Sequence, residues 1–184
     1  MKLNNKILLS SLLILSIGFL SFVVINKQRK PKKILLLGGL DNRSGDLSIS
    51  QQVELLKKGI DSSINIEGFR YNDEKGIINT ISNSKKEMYV VLFSAGCSNS
   101  KEIAKEIKKQ GKKLKYMFIV EPYGVSSSTT QSVQEAVSMG VPETNVIVGK
   151  SKSTGLGIID NPTLTPDCSP KHWCSLTEVG KIIK

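Results

Sequence analysis

Three kinds of residue in this chain have the chemistry for acyl transfer: a serine among small residues, a lone histidine, and carboxylates spread between and around them. The serine lies in residues 89–104, YVVLFSAGCSNSKEIA, where an apolar run that reads as a buried strand breaks at small residues and passes directly into a helical pattern. This places Ser98 between Gly96 and Ser100, the layout of a nucleophile elbow. Such a sharp strand-to-helix turn needs small residues two before and two after the nucleophile, because larger ones collide with the backbone and the neighbouring strand. Ser98 is therefore expected to project from the strand's carboxyl end, with the Asn99 N–H at the next helix's amino end donating to an oxyanion. The pattern is G-x-S-x-S rather than the stricter G-x-S-x-G. A serine hydroxyl attacks only when a base takes its proton. His172, the one histidine of the chain, is the available base.

The elements that must position these groups follow from hydropathy. Short, often β-branched apolar runs at Ile34–Leu37, Ile64–Phe69, Tyr89–Phe93, Tyr116–Val120 and Asn145–Val148 are bounded by Gly, Pro, Asn or Ser and read as five strands. Helical patterns lie between them at Ser48–Lys58, Glu74–Ser82, Lys101–Gln110 and Thr129–Met139, with a last one at Ser175–Lys184. Strand-helix alternation at this spacing predicts an α/β fold: a three-layer α/β/α sandwich around a mainly parallel sheet of about five strands. Ligands in such sheets bind outside the strands' carboxyl ends. Gly38–Asp41, Arg70–Asp73, Gly96–Ser100, Glu121–Tyr123 and the residues from Gly149 onward all belong there.

In this order of elements the chain resembles the α/β-hydrolase superfamily of serine hydrolases and esterases, over about residues 34–184. The first strand ends in Gly38-Gly39, the elbow surrounds Ser98, and His172 sits in a late loop ahead of the last helix. The resemblance implies hydrolysis of an ester or related acyl bond in a small-molecule or lipid-like substrate, with no cofactor. It also implies an acid after a strand beyond the elbow, which holds the imidazole in its useful tautomer. Asp160, after the apolar stretch Leu156–Ile159, fits that role best; Asp167 and Glu121 are the alternatives. A second oxyanion donor is implied in the Gly38-Gly39-Leu40 loop, at the Leu40 N–H. The chain departs from the family in its short length, in Ser100, and in lacking a long insertion that would form a lid.

Two other readings use different atoms. The turn at Cys97 resembles the glutaredoxin active site with C-x-x-S in place of C-x-x-C, which would make Cys97 a monothiol-exchange nucleophile at a helix amino end. The Ser126–Thr130 and Ser151–Thr154 clusters would suit a non-catalytic, Rossmann-like module binding a small anion or a partner, although neither a P-loop nor G-x-G-x-x-G is present. One His and three scattered Cys offer no metal-ligand spacing.

Composition bounds the remainder. The formal charge is +10, from 26 Lys plus Arg against 16 Asp plus Glu. The densest cluster, Lys101–Lys115, interleaves Ile103, Ala104 and Ile107 at helical spacing, so it reads as a solvated helix face and not as a nucleic-acid surface. Ile7–Ile25 is an uncharged run of 19 residues, about the length that crosses a hydrocarbon core as a helix. It predicts an N-terminal transmembrane anchor or signal segment over residues 1–26, a basic tether over 27–33, and a hydrolase-like domain over 34–184. The side of the membrane stays open. Lys27, Arg29, Lys30, Lys32 and Lys33 favour the cytoplasmic face, whereas Cys168 and Cys174, flanking His172, would suit a disulfide in an oxidising compartment.

Overall fold

The computed structural model describes residues 33–42, 44–60, 63–84, 87–111, 114–122, 127–139, 146–149 and 172–183. The expected anchor and most of its tether, Asp160, Asp167, Cys168, Ser126 and the Ser151–Thr154 cluster lie outside them. Among the described residues no helix is long and apolar enough to cross a membrane.

Strands and helices alternate as the hydropathy pattern predicts, with ends moved by a residue or two. In chain order they are β1 (Lys33–Leu37), α1 (Ile49–Lys57), β2 (Asn65–Phe69), α2 (Glu74–Asn83), β3 (Met88–Phe93), a 3-10 segment (Ser94–Asn99), α3 (Ser100–Lys109), β4 (Leu114–Val120), α4 (Ser127–Ser138), β5 (Val146–Gly149) and α5 (Cys174–Ile182). Pairing is parallel throughout, in the order β2-β1-β3-β4-β5. Parallel strands covered on both faces read as continuous apolar runs, and β3, the central strand, is buried at every position.

Alternate strand residues feed two cores. Leu35, Leu37, Val90, Leu92, Met117 and Ile119 pack with Ile77 and Ile81 of α2, Ile103 and Ile107 of α3, and Val133 of α4. Ile34, Leu36, Tyr89, Val91, Phe93 and Phe118 pack on the opposite side with Leu56 of α1 and Leu176 and Val179 of α5. The step from β1 to β2 runs one way along the sheet and the step to β3 runs back, so right-handed crossovers put α1 and α2 on opposite faces.

The helices begin where short polar side chains cap them. Ser48 and Gln51 form a reciprocal capping box at the start of α1, and Asp73 accepts the Gly76 N–H at 3.0 Å at the start of α2. The lysine-rich helix α3 is a solvated face, as expected. It buries Ile103, Ala104 and Ile107, while Lys101 pairs with Glu135 and Lys105 with Glu102. Helix α5 packs on α1 so closely that a side chain at Gly180 would meet the Leu56 carbonyl, and Thr177 Oγ1 donates to the Leu55 carbonyl at 3.0 Å. This contact docks the segment that carries His172.

Candidate active site

The chain reverses its direction of travel across the sheet between β1 and β3. The carboxyl ends of these two strands therefore open the crevice in which doubly wound sheets place their ligands. Among the described residues, only Ser94 (φ 53°) and Glu121 (φ 49°) are non-glycine residues with positive φ. Each directly follows a strand, β3 and β4 respectively. Such backbone costs on the order of 1–3 kcal/mol and persists where surrounding packing enforces it, often at functional sites.

The strand-to-helix reversal occurs at Ser94, four residues before the serine that the sequence pattern singles out. Gly96 is the small residue two positions after Ser94: a Cβ there would lie 2.5 Å from the Leu37 carbonyl oxygen and 2.6 Å from that of Gly38. The position two before is Leu92, a core residue and a departure from the glycine usual at an elbow. Ser98 is already inside the 3-10 segment, exposed, with its hydroxyl donating to the Ala95 carbonyl at 2.8 Å. Asn99 occupies the N-cap position of α3, and its side-chain amide donates to the Tyr71 carbonyl at 2.9 Å.

The Phe93 ring contacts the His172 imidazole, with centroids 4.7 Å apart, and Trp173 packs 5.4 Å from both. His172 Nδ1 is 3.4 Å from Glu121 Oε2. That is within ion-pair range but beyond a closed hydrogen bond, and Nδ1 is a buried atom with no hydrogen-bond partner. Glu121 is fully buried, and its other oxygen accepts the Ser175 hydroxyl at 2.6 Å from the first turn of α5. Of the three acids weighed from sequence, Glu121 is the one among the described residues, and it lies beside the histidine. Its signal in the sequence is its place directly after an apolar strand, shared with Ser94.

The loop after β1 lies against Ser94. A Cβ on Gly39 would sit 2.8 Å from Ser94 Cβ and 3.2 Å from Ser94 Oγ, so only glycine fits against the Ser94 side chain, which is itself buried. The Gly38 N–H extends the sheet to the Phe69 carbonyl at 2.9 Å, and the Gly39 N–H is taken by Gln52 Oε1 at 2.8 Å. The next donor, the Leu40 N–H, has no hydrogen-bond partner among the described residues. The Ala95 N–H, in the first turn of the 3-10 segment, has no acceptor within that segment.

Cys97 has a different character from an exchange nucleophile. It is a free, fully buried cysteine whose thiol donates to the carbonyls of Leu92 at 3.2 Å and Val120 at 3.5 Å. Burial pushes its thiol well above the ordinary range, which disfavours the thiolate that exchange requires. The α3 N-terminus is also engaged, since the Lys101 N–H donates to Ser132 Oγ at 3.1 Å. Cys174 is disulfide-bonded.

No protein-family model, no curated protein and no solved structure matches the chain.

Proposed function

We propose that this protein is a serine hydrolase of ester or related acyl bonds, with Ser94 as nucleophile, His172 as base and Glu121 as the acid that orients it. The observation that carries this reading is the strained Ser94 at the end of the central strand, next in sequence to the Phe93 ring on which His172 rests. Ser94 takes the role expected of Ser98, and the Ala95 N–H the role expected of Asn99, while Leu40 remains the second oxyanion donor. Chain order is nucleophile, acid, histidine, the order expected of the α/β-hydrolase family that the sequence resembles.

The chemistry follows from the atoms. Ser94 Oγ attacks the acyl carbon as its proton passes to the imidazole, and the carbonyl electrons move onto oxygen, where the Leu40 and Ala95 N–H groups receive the negative charge. Collapse expels the alcohol, which takes the proton from the imidazolium and leaves an acyl-serine. Water then repeats the sequence and releases the acid. Glu121 offers Nδ1 a carboxylate throughout, and a short closing movement would turn 3.4 Å into a hydrogen bond. In this reading residues 1–26 hold the domain at a membrane, where a lipid-like acyl substrate would be at hand.

A fluorophosphonate probe followed by peptide mapping tests the assignment. Labelling is expected at Ser94; labelling at Ser98, or at no serine, defeats it.

A further inference from the structure

A buried amide side chain is costly unless its polar atoms are paired, so its partners indicate what it holds. Gln52 is fully buried in α1. Its Oε1 accepts the Gly39 N–H and its Nε2 donates to the Leu47 carbonyl, both at 2.8 Å. One side chain therefore ties the beginning of the loop after β1 to its end. The helix beneath it is held by the Ser48–Gln51 capping box, and Gln52 N–H itself donates to the Ser48 carbonyl at 3.0 Å. Leu or Met would fill the same space without these two bonds. The amide serves the loop's backbone, not the packing of the core.

The loop needs such a hold because of its glycines. Position 39 must lack a Cβ because one would press on the Ser94 side chain, yet two successive glycines give the backbone wide conformational freedom. An oxyanion donor works only if it is already in place when charge develops. Fixing the Gly39 N–H on Gln52 sets the peptide immediately before the Leu40 N–H. The outer end of the loop is fixed separately, where Arg70 Nε and Nη2 donate to the two Asp41 carboxylate oxygens at 2.7 and 3.0 Å.

We infer that Gln52 is a positioning residue for the oxyanion site: it restrains Gly38-Gly39 so that the Leu40 N–H faces the tetrahedral intermediate. This rests on the serine-hydrolase reading above. The test uses the full-length protein, a p-nitrophenyl ester, and a trifluoromethyl ketone whose adduct with serine carries an oxyanion. Gln52→Leu should lower kcat about 10- to 100-fold with KM changed by about twofold or less, and should weaken ketone inhibition in proportion. Gln52→Glu, which still accepts from Gly39, should retain more activity than Gln52→Leu. A Gln52→Leu enzyme with lowered thermal stability but wild-type kcat and ketone affinity overturns the role and leaves the hydrolase intact. Wild-type protein that neither turns over the ester nor labels at Ser94 defeats the hydrolase reading and this role with it. If neither variant folds, amide hydrogen exchange on the wild type decides: a protected Gly39 amide supports the hold, and exchange at the rate of a free loop overturns it.

Discussion

The two halves of the site are built by different means. On the proposed nucleophile side, Ser94, Gly96 and Gly38 are held by backbone, through a positive φ, close approaches that exclude a Cβ and a main-chain hydrogen bond, with the Gly39 N–H tied to the Gln52 side chain. On the proposed acid-base side, Glu121 and His172 come from distant parts of the chain and meet only through side chains, with Phe93, Trp173 and Ser175 around them. Backbone construction tolerates few residue types but fixes atoms tightly. Side-chain construction accepts more replacements and leaves a pair at 3.4 Å that must still close. Substitutions on the first side should therefore abolish function outright, and those on the second should grade it.

The largest expected effect is at the elbow. Ser94→Ala should reduce ester turnover on the order of 10⁴-fold or more, whereas Ser98→Ala should stay near wild type because that hydroxyl only caps a local carbonyl. Equal losses in the two variants would break the distinction between an elbow residue and a helical one.

The acid-base side should respond next and less completely. His172→Ala is expected to cost about 10³-fold or more, and Glu121→Gln roughly 10²- to 10⁴-fold. Asp160→Asn and Asp167→Asn should leave steady-state turnover almost untouched. A crippled Asp160→Asn beside an active Glu121→Gln would move the acid to the later loop.

Between the two halves lies Cys97, whose burial predicts an alkaline effect on stability. A thiol in the unfolded chain ionises near about pH 8.5, while burial keeps the folded one protonated. Below that pH both states hold the proton, so the contribution of Cys97 is fully present. Above it only the unfolded state releases the proton, and stability falls. The difference in urea midpoint between wild type and Cys97→Ala should shrink from pH 7 to pH 10; a constant difference would show that the thiol is open to solvent.

The smallest effect is expected away from the site, at the pair of Lys101 with Glu135. Hydrogen bonds from Lys101 and Gln131 hold the Glu135 carboxyl below its usual range. Its stabilisation is present above that range and is lost as pH falls through it. Exposed pairs are screened by solvent, so Lys101→Met should shift the thermal midpoint less than any change above. A shift as large as that of Cys97→Ala would mean that α3 depends on this pair for its docking.

Much of this was legible in the residues. Hydropathy periodicity located every described strand and helix, because burial on two sheet faces imposes apolar runs, and one helix face imposes 3.6-residue spacing, wherever the chain sits. His172 and Glu121 were both readable as candidates, one as the only histidine and the other as the polar residue ending an apolar strand. Which serine takes the strained backbone after β3 was not. Gly96 and Ser100 flank Ser98 with small residues, whereas Ser94 has Gly96 two after it but Leu92 two before it, so local composition points to Ser98. What separates them is the Leu37 carbonyl against Gly96 and the Gly39 backbone against Ser94, contacts between segments far apart in sequence. The same holds for the acid. Asp160 lies outside the described residues; Glu121 and the imidazole meet through the folding of β4 beside β3 and the docking of α5 on α1, and no one-dimensional distance encodes that. The sequence by itself determined which segments are buried and in what order they alternate, since those are local consequences of side-chain chemistry. Which serine is strained and which carboxylate faces the histidine was decided only by the tertiary structure, because both depend on the backbone of one segment excluding or admitting atoms of another.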